Sequence, residues 1–296
     1  MKQLVLGTAM WGWSVPKDLC FTLLDKFYLE GGRYIDTATN YPLNDNKDCF
    51  KSAERAILEW IEINQIKDLK IIYKVGSLSN SKVPENNISP NYLMNEIERL
   101  YNNFGKNLYT IMIHWDNRDD VYEIEQTLNY LSGLKKIDVG FSGIKHPEIY
   151  SHVMNKLEWE IPMTIELKHN FIQTSLSAYK PLFKWNPKLI AYGICAGGLK
   201  LSEDKYTEKS YVTLARSKNY HSEMLSKEIE KELSLIIKSN KKIGNLYNFA
   251  MLFAENTPEL YGYIVAPTKI EQLNDIFLFR NTIRNNSFNS IFLNSH

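Results

Sequence analysis

Apolar and polar positions along this chain keep two alternating periods. Short apolar runs, rich in Val, Ile, Leu and Tyr, occupy residues 3–8, 34–37, 69–75, 108–113, 137–141, 163–167, 189–194 and 261–265. Each is the length of a buried strand. Between them the apolar residues recur three and four positions apart. Leu19, Leu23, Leu24, Phe27 and Tyr28 do so in 18–30, and Ala53, Ile57, Trp60 and Ile61 in about 50–63. The same spacing predicts helices over 92–104, 121–131 and 148–155, a weaker one over 176–183, and further helices over about 223–239, 244–255 and 270–279. Gly31-Gly32 stops the first helix. A long polar loop is expected from Ala196 to about Tyr220.

Eight strands that alternate with helices imply parallel strands joined by helical crossovers. Eight such units predict an α/β protein closed as a (β/α)8 TIM barrel, one domain over residues 1–296, with a loosely ordered Asn/Ser-rich tail over 281–296. The rival is an open doubly wound sheet. No glycine-rich G-x-G-x-x-G turn follows the first strand, and the barrel is preferred.

Composition narrows the function classes. Hydrophobic residues make up 44% and charged residues 23%, and 35 basic against 34 acidic residues leave a formal charge of +1. That balance gives no electrostatic case for nucleic acid or an anionic membrane. Cys20, Cys49 and Cys195 show no CxxC spacing, which argues against a disulfide framework or a structural metal site. No signal-like segment or membrane-length apolar run is read, so a cytoplasmic protein is expected.

Functional side chains of a barrel lie at the C-terminal ends of strands and on the loops that follow. Asp36, Lys74 and His114 fall at the ends of strands two, three and four, and Tyr41 follows strand two. Taken singly, each has a bland explanation as a cap, a surface lysine or a structural histidine. Together they bring an acid, an amine, an imidazole and a phenol to one rim. A phenol titrates near ~10 in water, so as a proton donor near neutrality it calls for a cation beside it. Lys74 is expected to supply that cation.

These residues sit in motifs that resemble the aldo-keto reductase family. Gly32-Arg33-Tyr34-Ile35-Asp36-Thr37-Ala38 with Tyr41 is similar to its G-x-R-x-I-D-T-A-x-x-Y signature, and Ile113-His114-Trp115 to its H-W-P-D strand end. Lys136 to Ser142 is similar to the G-K-I-x-x-I-G-V-S-N stretch, and Ala191-Tyr192 with Gly197-Gly198-Leu199 to A-Y-S-P-L-x-x-G-L. The resemblance runs from residue 4 to about residue 275. It implies an NAD(P)H-dependent oxidoreductase that reduces an aldehyde, ketone or sugar carbonyl. Tyr41 would be the general acid, Lys74 would lower its pKa, Asp36 would hold the lysine, and His114 would orient the carbonyl oxygen.

The cofactor contacts follow from the same resemblance. Tyr192 would stack on the nicotinamide, with Ser142, Gly143 and Glu166 at its carboxamide. Gly7 and Thr8 would line the mouth, Gly198 and Leu199 the pyrophosphate loop, and Thr268, Lys269 and Gln272 the adenosine end. NADPH is the expected cofactor and NADH its alternative; no metal is implied. Four positions depart from the family pattern. Gly143 stands where an Asn is usual, Glu166 where a Gln is usual, Gln272 where an Arg grips the ribose phosphate, and Ile276 where an Asn faces adenine.

Trp11, Trp13 and Trp115, with Tyr206 or Tyr211, are candidates for the substrate mouth. The partner is a small-molecule carbonyl compound, and the chain is expected to be a monomer or small homo-oligomer. Two other readings are carried: a non-catalytic cofactor-sensing regulatory or scaffold barrel, and a sugar or sugar-nucleotide oxidoreductase working in the oxidative direction.

Overall fold

A computed structural model describes residues 1–81, 85–201, 206–208, 210–217, 219–286 and 288. Eight strands close a parallel barrel in chain order: β1 (Gln3–Gly7), β2 (Tyr34–Ala38), β3 (Lys70–Val75), β4 (Leu108–His114), β5 (Asp138–Ser142), β6 (Met163–Lys168), β7 (Lys188–Tyr192) and β8 (Leu260–Val265), with β8 paired back to β1. The outer helices are α1 (Lys17–Leu29), α2 (Ser52–Asn64), α3 (Pro90–Phe104), α4 (Val121–Ser132), α5 (Pro147–Lys156), α6 (Leu176–Tyr179), α7 (Tyr211–Ala215), α8 (Tyr220–Met224), α9 (Lys227–Ser239), α10 (Leu246–Asn256) and α11 (Ile270–Arg284). The (β/α)8 expectation holds.

Period-two alternation sorts the side chains of each strand. One set, including Ile35, Ile71, Tyr73, Ile111, Phe141 and Ile165, packs with the helices in one large core. The other set points into the barrel, where Val5, Ile72, Met112, Ile190 and Ile264 form a separate apolar cluster. Gly140 belongs to this interior layer, because a Cβ there would lie 2.7 Å from Met112 Cε. Two residues further along the same inward rows come Asp36 on β2, Lys74 on β3, His114 on β4, Ser142 on β5, Glu166 on β6 and Tyr192 on β7. The apolar layer is therefore the floor on which the polar layer stands.

Helix ends follow local chemistry. Ser89, Asp120, Ser226 and Asn245 each accept a backbone N–H from the first turn of α3, α4, α9 and α10, a cap worth ~1 kcal/mol. The cap at Ser226 splits the single helix expected over 223–239 into α8 and α9. Inside the expected polar loop 196–220 the structure has the short helix α7. The helix expected over 176–183 gives way to a 3-10 segment over Lys180–Trp185, where Pro181 cannot donate to an α-helical ladder. Strand β7 stops at Tyr192, short of the expected Ile194, because Gly193 turns the chain at φ +64°.

The tail begins later than expected. Helix α11 runs through Arg284, so residues 281–284 are ordered helix rather than loose chain. Arg280 pins this end, donating to Glu255 at 3.0 Å and to the Lys2 carbonyl at 3.0 Å. Residues 287 and 289–296 of that expected tail lie outside the described residues. Among the described residues, no helix is long and apolar enough to cross a membrane.

The two glycines that end α1 do different jobs. Gly31 has φ +84° with nothing near a hypothetical Cβ, so it is needed for its backbone conformation. A Cβ on Gly32 would sit 2.4 Å from the buried Phe27 ring, so Gly32 is needed for room. Gly32→Ala should therefore cost ~1–3 kcal/mol by overpacking, read as a lower denaturation midpoint at unchanged m-value.

Candidate active site

The strand register builds the site from residues far apart in the chain. His114 pairs with Ser142 and Ser142 with Glu166, so β4, β5 and β6 present their functional side chains at matched positions, whereas Lys74 pairs with Ala38, two residues beyond Asp36. The backbone just past each strand ties to its neighbour. Thr8 donates its N–H and hydroxyl to the Asp36 carbonyl, at 3.2 and 2.9 Å. Thr39 repeats this one strand on, donating both groups to the Lys74 carbonyl at 3.0 and 3.2 Å. Trp115 N–H donates to Ser142 O at 2.9 Å, and His169 N–H to Tyr192 O at 3.3 Å.

Lys74 is the centre of the polar layer. Its side chain is 2% exposed, and its ammonium donates to Asp36 Oδ1 and, at 3.1 Å, to Glu166 Oε2. Burial pushes the ammonium down, but Asp36, Glu166 and the nearby Tyr41 outweigh it and raise the lysine well above its ordinary value. Its Nζ lies 5.1 Å from the Tyr41 ring centroid, and the His114 ring stands perpendicular to Tyr41 at 6.2 Å. Asp36, Tyr41, Lys74 and His114 thus do meet.

The charges act differently from the simplest expectation. Lys74 does pull the Tyr41 phenol down, as the sequence suggests. Burial is the largest effect and pushes it up, and Asp36 and Glu166 add to the push. The resting phenol therefore lies above its ordinary value rather than below it. His114 is held well below the usual imidazole value, by burial first and by Lys74 second, and is neutral. Its Nδ1 is buried without a hydrogen-bond partner among the described residues, as is Oε1 of Glu166.

Glu166 itself is pushed up to about 8, by burial and then by the Asp36 charge, against the pull of Lys74. Burial and the Asp36 charge thus favour its protonated form. In that form the carboxyl donates as well as accepts, unlike a carboxylate, which can only accept.

Gly143 and Trp115 explain another departure together. Trp115 has φ +61°, an uncommon conformation for a bulky residue. Its ring lies 4.3 Å from the His114 ring, tilted by 32°. A Cβ on Gly143 would lie 2.5 Å from Trp115 Cδ1, so an Asn here would strike the indole. Gly143 N–H instead donates to the Tyr179 hydroxyl at 3.1 Å. The Trp115 turn is held from both sides. Asn86 Nδ2 donates to the His114 and Trp115 carbonyls, and Asp116 is locked by Arg118, by the Tyr150 hydroxyl and, at its carbonyl, by Lys145 N–H.

The remaining candidates fall as follows. Trp11 is 1% exposed inside the core, whereas Trp13 and Trp115 are half-buried. Tyr192 is half-buried beside the polar layer, Leu199 is buried and Gly198 exposed. A Cβ on Gly7 would meet Ile264 at 2.6 Å, so that glycine is required by packing. Thr8 is fully buried with its hydroxyl turned to Asp36. Gln272 Oε1 accepts the N–H and hydroxyl of Thr268, at 2.7 and 3.3 Å, and closes the loop before α11. Lys269 is exposed. Ile276 is fully buried and cannot face an adenine. Tyr206 is half-buried, and its hydroxyl accepts from Lys200 N–H at 2.9 Å; the Tyr211 side chain lies outside the described residues.

Thr39, Asn86 and Tyr179 were not legible as site residues. Thr39 had a signal, since like Thr8 it is a threonine directly after a strand; Asn86 and Tyr179 had none. Among the described residues, no group of His, Cys, Asp and Glu side chains could hold a metal ion.

The Trp115–Gly143 contact predicts strong coupling. Gly143→Asn should destabilise the parent protein more than it destabilises Trp115→Ala. The interaction energy from a denaturation double-mutant cycle should be ~0.5–3 kcal/mol.

Comparison with known proteins agrees with this geometry. Over 161 residues, 48% of this chain and 39% of the other, the sequence is 27% identical to norsolorinic acid reductase stcV of Emericella nidulans. Over 174 residues, 53% of this chain and 76% of the other, it is 25% identical to AAD6 of Saccharomyces cerevisiae, an aryl-alcohol dehydrogenase-type protein. The glycerol dehydrogenase AKR11B4 of Gluconobacter oxydans has the same fold, with a TM-score of 0.68 over 98% of this chain and 91% of that one at 16% identity. The model of the aldo/keto reductase family matches residues 3–291, and this chain belongs to that family.

Proposed function

We propose that this protein is a nicotinamide-dependent carbonyl reductase with Tyr41 as its general acid. The observation that carries the reading is the buried Lys74 ammonium, held by Asp36, beside a phenol that His114 faces edge-on. Two buried polar atoms without hydrogen-bond partners among the described residues, Glu166 Oε1 and His114 Nδ1, suit a site that takes polar ligand groups.

The residues fit a nicotinamide cofactor. Ser142 and the neutral Glu166 would hold its carboxamide, Tyr192 would stack on its ring, Gly198 and Leu199 would flank its pyrophosphate, and Thr268 and Lys269 would meet its adenosine end. When bound, this cofactor supplies the hydride that a substrate carbonyl carbon receives. The chain supplies the rest. Neutral His114 holds the carbonyl oxygen, and Tyr41 transfers its phenolic proton to that oxygen as alkoxide character develops. Lys74 then stabilises the phenolate, and this is where its charge has most effect. A phenol that rests protonated is a ready acid, and the ammonium makes the loss of its proton tolerable.

The half-buried Trp13 and Trp115 offer flat apolar faces. Relatives named for norsolorinic acid reduction and aryl-alcohol dehydrogenation support aromatic carbonyl compounds as the first substrates to test. NADPH is the first cofactor to test and NADH the second, because Lys269 is a lysine without an arginine fork beside it.

In the presence of NADPH and a small aromatic aldehyde, Tyr41→Phe should lose at least ~10²-fold in kcat. Its cofactor Kd, read by fluorescence quenching, should stay within about twofold of the parent. Unchanged turnover would remove Tyr41 from the acid role. Lys269→Ala should weaken NADPH by about fivefold, the scale of one exposed ion pair, and NADH far less. Equal losses would mean that Lys269 does not meet the ribose phosphate.

A further inference from the structure

Two carboxyl groups converge on one ammonium in the buried polar layer of the barrel. Asp36, Glu166 and Lys74 are each at most 5% exposed at the side chain. Were both acids ionised, the cluster would carry a net negative charge out of reach of water, where each ion has already lost several kcal/mol of hydration. One proton makes the cluster neutral. Glu166 is its natural seat: its carboxyl meets Asp36 as well as Lys74, and its Oε1 has no hydrogen-bond partner among the described residues and can bear the hydrogen.

The groups facing Glu166 leave it as the one that changes charge just above neutrality. Asp36 on β2 is paired with Lys74, and Lys74 on β3 lies well above its ordinary value. Tyr41, in the loop after β2, and Tyr192 on β7 are raised, Tyr179 on α6 is pushed up to about 12, and His114 on β4 is held well below 6.5. Of these described groups, Glu166 is the one pushed up from the acid range toward neutrality, to about 8.

We propose that Glu166 is a proton-carrying specificity residue that senses the oxidation state of the nicotinamide, a neutral acid toward the reduced ring and a carboxylate toward the oxidised one. The inference rests on the nicotinamide site put forward under Proposed function. As an acid, Glu166 can donate to a carboxamide oxygen as an amide side chain would, and it places no charge against an uncharged dihydropyridine. As a carboxylate, it cannot donate, but it attracts the positive charge of the oxidised ring across a water-poor contact. Binding of the oxidised cofactor to the neutral site therefore releases one proton from Glu166 to solvent. Binding of the reduced cofactor above the crossover takes one up. Rising pH shifts the preference from the reduced to the oxidised form, so the protein is biased toward reduction in neutral conditions and toward oxidation in alkaline ones.

The test is binding, not turnover. Dissociation constants for NADPH, NADP+, NADH and NAD+ are measured from pH 6.5 to 9 on the parent and on Glu166→Gln. The NAD pair has no ribose phosphate that could titrate. In the parent, Kd of the oxidised form divided by Kd of the reduced form should fall about tenfold across this range, as one titrating proton allows. In Glu166→Gln the ratio should be flat. Calorimetry of the parent near pH 7.5, in buffers of different ionisation enthalpy, should show proton release with NADP+ and not with NADPH. That measurement decides the matter even if Glu166→Gln fails to fold. Tight binding of both forms with a flat ratio and no proton release would overturn the role of Glu166 and leave the reductase reading standing. The same slope in Glu166→Gln would also overturn it. Absence of binding by all four cofactors would overturn both.

Discussion

The ammonium of Lys74, held between Asp36 and Glu166, is the interaction on which the rest of this site depends. A buried cation is costly unless it is paired and hydrogen-bonded. The barrel meets that need with two acids, Asp36 from the neighbouring strand β2 and Glu166 from β6, three strands further round the closed ring. Thr8 and Thr39 hold the backbones of Asp36 and Lys74 in place. The apolar layer of Val5, Ile72, Met112, Ile190 and Ile264 seals the site from below. Remove the second acid and the cluster is a simple ion pair; with it, the cluster has a proton to place.

That extra carboxyl changes how the phenol is tuned. Lys74 lowers the Tyr41 phenol in the resting protein, but burial, with Asp36 and Glu166, outweighs it and decides the direction. In the proposed reaction the charge of Lys74 matters most once Tyr41 has given up its proton, because a phenolate beside it completes a second ion pair. Stabilisation reserved for the developing charge is the arrangement that favours catalysis over mere binding. Neutral His114 fits the same logic, since it can orient an oxygen without adding a second cation beside Lys74.

The strand-four corner is a second unit, and its parts were chosen together. Trp115 holds a left-handed backbone conformation that costs ~1–3 kcal/mol in itself, and the surrounding bonds from Asn86 and the Asp116–Arg118–Tyr150 cluster maintain it. The indole then fills the space that an Asn at 143 would use. Gly143 is therefore a steric consequence of the Trp115 turn, and its lost side chain need not signal a lost function.

Strand and helix periods, read from the chain alone, determined the barrel, because apolar alternation and helical spacing follow from backbone geometry that each segment carries with it. They also placed Asp36, Lys74 and His114 at strand ends, and the motif around Asp36 brought in Tyr41. What local pattern could not supply was anything that depends on closure. Glu166 and Lys74 are ninety-two positions apart, and only a closed ring of strands sets one carboxyl against the other's ammonium. Ile276 stands where the family resemblance has an adenine-side Asn, and here that position is buried in the core. The ionisation of Tyr41 and Glu166, the strained Trp115 and the supporting Asn86 were likewise decided by tertiary structure, because burial and charge act through space and the sequence records only order.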